Sequence, residues 1–156
     1  MMIRNVVIQE IDHVLKILNE TTVHLISKGI SQWSFPWEPE MIINEISSNH
    51  CFIVKVGEVI CGVFFIRDID CLNGVSIDPC SKYLSKIAIS PEFQGMGYGS
   101  KILAFACTFA QDQNSTLYLD CWAGNDKLKA FYVNNGMEYL GDYPEESYFI
   151  SVFRKR

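Results

Sequence analysis

The sequence of 156 residues lacks several features that mark other classes of protein. No apolar run approaches the roughly 20 residues that a membrane-spanning helix needs. The first ten residues lack the basic region and the long apolar core of a signal peptide. Basic charge is scarce, since the net charge is −5 and basic residues cluster only at Arg154–Arg156. We therefore expect a cytoplasmic protein that binds neither membranes nor nucleic acid.

The cysteine and histidine patterns favour neither disulfides nor a metal site. Six cysteines are scattered along the chain, and none forms a Cys-x-x-Cys pair. Several lie in apolar segments, which favours buried, reduced thiols. The three histidines have no zinc-ligand spacing relative to the cysteines. We therefore predict that the protein holds no metal.

The composition is that of a globular chain, with 49% hydrophobic and 20% charged residues. No linker or repeat divides the sequence, so we predict a single domain over residues 1–156. Strand-like and helix-like apolar segments are interspersed, which predicts a mixed α/β domain. The predicted strands are 2–8, 51–56, 59–66, 83–90, 117–122, 137–142 and 147–154, and the predicted helices are 10–28, one beginning at 39, 102–113 and 126–135.

The segment Pro91–Lys101 is rich in glycine and lies between a predicted strand and a predicted helix. Gly95, Gly97 and Gly99 alternate, which removes every Cβ from one side of the turn. Backbone N–H groups can then converge on an anion, and the helix start adds unpaired N–H groups and the positive end of its dipole. We therefore predict a loop that binds a diphosphate.

The glycine spacing distinguishes between kinds of diphosphate loop. A dinucleotide loop needs Gly-x-Gly-x-x-Gly, and Ser100 occupies its last position here; the Walker pattern is also absent. The pattern that fits is Gln-x-x-Gly-x-Gly at Gln94, Gly97 and Gly99. It resembles the acetyl-CoA loop of the GNAT acyltransferase superfamily, including the Pro-Glu-x-Gln-Gly lead-in. On the loop residues alone, a turn that binds nothing remains the alternative.

The segment Asn125–Met137 resembles the second sequence block of the GNAT superfamily. In that block an asparagine follows a strand, and a helix carries Phe-Tyr, here Phe131 and Tyr132. A methionine closes the block where the family has phenylalanine. The two blocks also occur in the family's order. Two further segments, Gly29–Trp33 and Leu117–Asn125, resemble the Gly-Ile-x-Gln-Trp and Leu-x-Leu-Asp-x-Trp-Ala-Gly-Asn motifs of a bacterial subgroup.

The resemblance implies a single-domain GNAT fold, with flanking helices and a mostly antiparallel sheet that is splayed at the coenzyme site. It also implies acetyl-CoA as the cosubstrate. Pantetheine would bind along a strand as if it were a further strand. The residues that the resemblance assigns to coenzyme binding are Ile87, Ala88, Ile89, Gln94, Gly95, Met96, Gly97, Tyr98, Gly99, Ser100, Asn125, Phe131 and Tyr132.

Two residues are candidates for the acid–base chemistry of acyl transfer. Tyr132 matches the family's tyrosine that donates a proton to the leaving thiolate; the alternative is a core aromatic residue. Asp120 shares a strand face with Tyr118 and Trp122 and is the candidate base for the attacking amine. One alternative is that Asp120 is a structural hydrogen-bond acceptor on the strand, and another is that a chain of water molecules leading to bulk solvent serves as the base. Asn125 either binds pantetheine, caps the following helix, or does both.

Four residues are candidates for the acceptor site: Trp33, Trp37, Glu38 and Trp122. Aromatic rings beside a carboxylate suit an ammonium group, and the acidic chain favours the same charge; ordinary packing is the alternative. We therefore expect an N-acetyltransferase, monomeric or homodimeric, that transfers acetyl directly to a small cationic amine. The alternatives are a coenzyme A sensor of the same fold without turnover, and an acyltransferase for peptide or protein amines.

Overall fold

The computed structural model describes residues 1–30 and 33–156. The order of elements within them follows the prediction from the sequence. Short 3-10 turns occupy Ile8–Glu10 and Pro91–Phe93. The helices and strands are β1 (Met2–Asn5), α1 (Ile11–Ser27), α2 (Pro39–Ser47), β2 (Cys51–Val56), β3 (Val59–Ile69), β4 (Ser81–Ile89), α3 (Tyr98–Asp112), β5 (Thr116–Trp122), α4 (Asp126–Asn134), β6 (Glu138–Pro144) and β7 (Phe149–Lys155).

The strands of the described ranges form a seven-stranded sheet in the order β1-β2-β3-β4-β5-β7-β6. Pairing is antiparallel for β1 with β2, β2 with β3, β5 with β7 and β6 with β7, and parallel for β4 with β5. The parallel pairing covers Ser81–Tyr83 and Thr116–Tyr118, whereas β5 continues to Trp122. The predicted α/β class, with a mostly antiparallel sheet and flanking helices, is confirmed.

The chain divides into two compact units. The first comprises Met1–Ile66 and Lys86–Gly99, and the second comprises Arg67–Ser85 and Ser100–Arg156. The single domain over residues 1–156 stays a prediction.

The core of the first unit lies between its two helices and the β2–β3 hairpin. Because β2 is covered on both faces, four consecutive residues, Cys51–Val54, are buried. The two apolar runs 51–56 and 59–66 around Gly57-Glu58 predict a hairpin, and the structure confirms it, with Gly57 in the turn at a φ of 61°. The apolar residues of α1 at approximate helical spacing, Ile11, Val14, Leu15, Leu18, Val23, Leu25 and Ile26, predict a buried stripe. This prediction is wrong for Val23 and Ile26, which are each 50% exposed. The helix instead buries Val14, Ile17, Leu18, Thr21 and Thr22.

The N-terminus of α1 is tied to β1 by an ion pair. Both guanidinium nitrogens of Arg4 donate to the Glu10 carboxylate, at 2.9 and 2.7 Å. The backbone N–H of Val7 donates to the same carboxylate at 3.0 Å. The Arg4 hydrogen bonds are the main cause that lowers the pKa of Glu10 to about 2. A carboxylate at a helix start also meets the positive end of the helix dipole.

The core of the second unit forms around β5 and α3. Four consecutive residues of β5, Thr116–Leu119, are buried. The apolar residues at helical spacing in α3 are buried as well, as the sequence predicts. The buried residues of α3 are Ile102, Leu103, Ala106 and Ala110.

All six cysteines are free, but they are not all buried. Cys51, Cys61 and Cys121 are buried, whereas Cys71 and Cys80 are exposed. The expectation of buried thiols is wrong for the latter two because they lie in the turns between β3 and β4. Within residues 1–30 and 33–156, no helix has both the length and the apolar character to cross a membrane. The same ranges contain no group of three or more His, Cys, Asp or Glu side chains suited to a metal.

Candidate active site

Strand β4 is irregular where the sequence predicts pantetheine binding. Lys86 has a φ of 54°, a left-handed conformation that is uncommon for a residue with a side chain. Its ammonium group lies 5.3 Å from the centroid of the Phe65 ring. The next residues on the segment, Ile87 and Ile89, are half-buried. An irregularity of this kind redirects backbone groups away from regular pairing, which fits a segment that presents amides to a bound chain.

Contacts with β3 hold this segment of β4 from one side. A Cβ placed on Gly62 would lie only 3.3 Å from the carbonyl oxygen of Ala88, so the close approach depends on glycine. The N–H group of Ser90 donates to the carbonyl oxygen of Cys61 at 2.9 Å. The end of β4 is therefore fixed directly before the glycine-rich loop.

The glycine-rich loop after β4 has an open face. Gly95 and Gly97 have φ angles of 78° and 85°, which glycine adopts without strain. A Cβ placed on either glycine meets no described atom within 4 Å, and Met96 between them is 61% exposed. The Nε2 group of Gln94 donates to the carbonyl oxygen of Ile89 at 2.9 Å. The loop therefore has room for a diphosphate, and its glutamine anchors it to the strand.

Helix α3 begins within the loop. The sequence predicts a start at residue 102, whereas the helix starts at Tyr98, so Gly99 and Ser100 lie in its first turn. Glycine is tolerated there because the first N–H groups of a helix have no intrahelical partner. The Tyr98 ring packs edge-to-face on Phe93 with centroids 6.1 Å apart. This geometry provides the unpaired N–H groups and positive dipole end that an anion needs.

An open groove of 680 Å³ lies beside α1 in the first unit. One face of α1 forms one wall, and the start of the glycine-rich loop contributes to the lining. Both apolar and carboxylate side chains are present, so the groove suits a ligand with an apolar body and a positive charge. The lining residues are Asn19, Glu20, Val23, His24, Ser27, Phe35, Pro91 and Glu92.

The aromatic segment before α2 is partly engaged in packing. Trp37 is 7% exposed, and its indole N–H donates to the Thr22 hydroxyl at 2.9 Å. The Trp33 ring is half-buried and packs edge-to-face on Trp37, with centroids 5.6 Å apart. Glu38 is exposed directly before α2. Trp37 therefore packs in the core, as the alternative interpretation of the sequence expects. Trp33 and Glu38 have exposed surface that a ligand could contact.

The predicted motif Gly29–Trp33 includes Ser31 and Gln32, which lie outside the described residues. Gly29 follows α1 with a φ of 78°, as a glycine that ends a helix commonly does.

In the second unit, the Asp120 carboxylate has a tyrosine partner. The hydroxyl of Tyr83 lies 2.9 Å from each carboxylate oxygen and donates between them. The Arg67 guanidinium lies over the Tyr83 ring, 5.2 Å from its centroid. Burial, followed by the charge of Asp120 and the hydrogen bond to it, raises the pKa of Tyr83. The phenol therefore stays protonated at neutral pH and remains a donor.

Tyr132 on α4 is buried against β5 and β7. It is 5% exposed, and its ring packs on Phe153 with centroids 5.3 Å apart. Phe131 adds a second, edge-to-face ring contact at 5.6 Å. Burial, with smaller effects of Cys121 and Asp120, raises the pKa of Tyr132. The two predicted acid–base residues, Asp120 and Tyr132, thus lie in the same unit, and the charge of Asp120 contributes to the raised pKa of Tyr132.

Cys121 lies next to Asp120 but is a poor nucleophile. Burial and the charge of Asp120 raise the pKa of this thiol to about 12. Because the thiolate and not the thiol attacks acyl groups, Cys121 stays unreactive near neutral pH. This protonation state favours direct transfer over an acyl-cysteine intermediate.

The turn between β5 and α4 positions Trp122 and Asn125. A Cβ on Gly124 would lie 2.5 Å from the Trp122 ring, so the ring packs directly on the glycine. The Asn125 side chain accepts a hydrogen bond from the N–H group of Leu128 at 3.1 Å. Asn125 therefore caps α4, and a further role in binding pantetheine stays a prediction.

The turn between β6 and β7 adds negative charge near Asp120. Burial raises the pKa of Tyr148, and so do Glu145, Glu146 and Asp120 in that order. The side-chain amide of Asn73 donates to both carboxylate oxygens of Glu145, at 2.8 and 2.7 Å. Carboxylates grouped around a tyrosine favour a positively charged ligand.

Comparison with known proteins identifies the family. A family model described as "Acetyltransferase (GNAT) family" matches residues 13–137. The chain belongs to the GNAT acetyltransferase family. The chain is 28% identical over 144 residues to YesJ of Bacillus subtilis strain 168, which is named an uncharacterized N-acetyltransferase. The aligned region covers 86% of this chain and 80% of YesJ.

Solved structures confirm the GNAT fold. A GNAT family acetyltransferase from Listeria monocytogenes 4b F2365 aligns with a TM-score of 0.82 at 20% identity, covering 99% of this chain and 93% of that chain. The Salmonella typhimurium protein yncA, in a structure with its cofactor acetyl-CoA, aligns with a TM-score of 0.77 at 14% identity, covering 100% and 93%. GNAT membership supports acetyl-CoA as the cosubstrate, and the roles of individual residues stay predictions.

Sequence reasoning did not identify Tyr83, Arg67 or Tyr148 as site residues of this GNAT protein. Tyr83 comes close to Asp120 because the parallel register of β4 with β5 puts Tyr83 opposite Tyr118 and diagonal to Asp120. That register depends on tertiary structure and has no local pattern. The charge cluster around Tyr148 likewise joins residues that are far apart in sequence.

Proposed function

We propose that the protein transfers the acetyl group of acetyl-CoA directly to the amine of a small cationic acceptor. The observation that carries this proposal is that the second unit contains the Asp120 carboxylate, held by a tyrosine hydroxyl 2.9 Å from each oxygen, together with the buried side chains of Tyr132 and Cys121. It supplies a carboxylate to receive a proton, a phenol to donate a hydrogen bond, and no thiolate to accept the acetyl group.

Each group has a defined part in the reaction. The acceptor amine is protonated at neutral pH, since a primary amine has a pKa of about 10.4. Asp120 attracts the ammonium group and takes one proton from it, which frees the nitrogen lone pair to attack the thioester carbon, and this proton passes on to solvent. The second proton leaves nitrogen as the C–S bond breaks and ends on the coenzyme A sulfur. The C–S bond breaks, and Tyr132 donates a hydrogen bond to the departing sulfur. The products are the N-acetyl compound, coenzyme A thiol and, from an ammonium acceptor, one released proton.

The charge distribution supports a cationic acceptor. The negative charges of Glu145, Glu146 and Asp120 contribute to the raised pKa of Tyr148. The net charge of the chain is −5. An acidic metabolite would be repelled by this cluster, whereas a polyamine or amino sugar would be attracted.

The finer assignments of the sequence are part of the same proposal. The Gly-Ile-x-Gln-Trp and Leu-x-Leu-Asp-x-Trp-Ala-Gly-Asn motifs support a place in the bacterial subgroup that carries both. A cytoplasmic location suits an enzyme that uses acetyl-CoA. We propose a monomer or homodimer that acts without nucleic acid or membrane partners.

The test is a panel of acceptors with the purified protein and acetyl-CoA. Spermidine and glucosamine represent the cationic class, aspartate and glutamate the acidic class, and a short peptide with a free N-terminus the third class. Product is measured by mass spectrometry, because the exposed Cys71 and Cys80 react with reagents that titrate free coenzyme A thiol. A blank without acceptor measures slow hydrolysis.

We expect the cationic amines to be acetylated fastest. A faster rate with aspartate or glutamate contradicts the cationic acceptor, and a faster rate with the peptide supports the peptide-amine alternative. Binding of coenzyme A without any product from the three classes supports a sensor.

A further inference from the structure

We infer that Tyr83 is a positioning residue for acetyl transfer, which holds the Asp120 carboxylate in the orientation that receives the proton of the acceptor amine. The inference rests on the proposed function, because it gives Asp120 the role of base. Tyr83 itself does not touch the reacting atoms in this scheme. It acts through the carboxylate to which its hydroxyl donates.

The strand register explains how the two residues meet. Tyr83 is paired with Tyr118, and side chains paired across two strands lie on the same face. Asp120 is two residues farther along β5 and therefore shares this face. A diagonal neighbour lies about 7–8 Å away between Cα atoms, which a tyrosine can span. The resulting distances from the hydroxyl to the two carboxylate oxygens are both 2.9 Å.

Both partners are held in place by other contacts. Arg67 on β3 lies over the Tyr83 ring and restricts its movement. Asp120 is paired with Val152 in the middle of the β5–β7 ladder, so its backbone is fixed. A hydroxyl between two carboxylate oxygens leaves further lone pairs on both oxygens. The acceptor nitrogen can therefore donate to the carboxylate while Tyr83 keeps its bond.

The hydrogen bond also affects the pH range in which Asp120 serves as a base. A donor to a carboxylate favours the charged form, so Tyr83 extends this range to lower pH. Other charges act on the same cluster, and any measured pH profile includes their effects. Arg67 on β3 and Glu145 in the β6–β7 turn act on Tyr83, and Asp120 acts on Cys121, Tyr132 and Tyr148. One step farther out, Lys129 on α4 and Asp142 on β6 act on Cys121, and Glu146 acts on Tyr148.

The experiment compares Tyr83→Phe, Asp120→Asn and the double variant in the whole chain, with spermidine as acceptor. Tyr83→Phe removes one hydroxyl and keeps the ring under Arg67. We expect kcat/KM to fall about tenfold and the acidic limb of its pH profile to move up by about 0.5–1 pH unit. The double variant should be no slower than Asp120→Asn, because Tyr83 acts only through that carboxylate.

Tyr139→Phe is the matched control. The Tyr139 hydroxyl donates to a different carboxylate in the same unit, Asp142, at 2.6 Å. This variant loses the same type of hydrogen bond at a carboxylate that acts on Cys121 rather than on Tyr83, so its kcat/KM should fall less, and its acidic limb should move less, than those of Tyr83→Phe. Thermal melts show whether each variant is folded. If Tyr83→Phe does not fold, Arg67→Gln is the second variant, because it removes the cation that lies over the Tyr83 ring. Its kcat/KM should fall less than that of Tyr83→Phe, and its acidic limb should also move to higher pH.

Three results overturn the inference, and they differ from failure of the proposed function. Tyr83→Phe could match Tyr139→Phe in rate and profile while Asp120→Asn is slow. The losses of the two single variants could add in the double variant, which would show that Tyr83 acts independently. Asp120→Asn could retain the parent rate, which removes the base that Tyr83 is to position. Failure of the proposed function appears earlier, as a parent protein that acetylates no amine.

Discussion

Alanine at Gly97 should separate coenzyme binding from stability. Gly97 has a φ of 85°, and a Cβ there meets no described atom within 4 Å. The cost of the substitution is therefore backbone strain of about 1–2 kcal/mol, without a clash in the free protein. For a chain of this length, the melting temperature should fall by about 2–8 °C. The added methyl group occupies the open face on which we expect the diphosphate.

Gly57→Ala provides the matched control for that strain. Gly57 has a φ of 61°, also meets no described atom within 4 Å, and lies in the β2–β3 turn. Both variants should lose similar stability without ligand. Coenzyme A at 100 times its dissociation constant should stabilise the parent by about 2.7 kcal/mol, or about 5–11 °C. Gly57→Ala should keep this increase, and Gly97→Ala should lose most of it.

The assay is a thermal melt at a series of coenzyme A concentrations, checked by calorimetric titration of the same three proteins. An equal ligand-induced shift in Gly97→Ala and Gly57→Ala would refute the assignment of the loop. Stabilisation by NAD or ATP, with none by coenzyme A, would refute it as well.

Three further predictions test other parts of the structure. Tyr132→Phe should lower kcat by about tenfold or more with little change in coenzyme A affinity; single-turnover kinetics check whether chemistry limits the rate. Trp33→Ala should raise KM for the acceptor but not for acetyl-CoA, whereas the buried Trp37→Ala should lose about 3–5 kcal/mol in urea unfolding. Glu10 has a lowered pKa, so its stabilisation is present above pH 4.5 and is lost as the pH falls toward about 2. Glu10→Gln should lower the free energy of unfolding at neutral pH by about 1 kcal/mol and flatten this acid dependence.

The sequence predicted the fold well because its main signals are local. The hairpin follows from two β-branched runs around Gly57-Glu58, and the end of α1 from Gly29. The blocks at Gln94–Gly99 and Asn125–Met137 predict the GNAT family, and the match of the family model to residues 13–137 confirms the family. These patterns depend on turn chemistry and periodicity, which neighbouring residues determine.

The parts of the site that sequence reasoning missed depend on contacts between distant residues. Residues 83–90 contain no carboxylate, and their contribution at Asp120 is the hydroxyl of Tyr83, which only the register of β4 with β5 brings within reach. The sequence predicts too late a start for α3, because alternating glycines are typical of a turn, whereas a helix tolerates Gly99 in its first turn. The sequence does not distinguish the buried Trp37 from the half-buried Trp33, because their burial depends on the tertiary fold.

The protonation states around Asp120 determine which proton transfers are feasible. A coenzyme A thiol is similar to a cysteine thiol, with a pKa of about 8.5, and an ordinary tyrosine has one of about 10. Burial raises the pKa of Tyr132 further, so full proton transfer from Tyr132 to the thiolate is uphill by more than about 2 kcal/mol. Tyr132 is therefore better suited to stabilise the departing sulfur by a hydrogen bond than to lose its proton. The proton that the thiolate finally takes then comes from the acceptor nitrogen or from solvent. Under the proposed function, Asp120 is the base that receives the first proton of the amine, and we expect its protonation to produce the acidic limb of the rate profile.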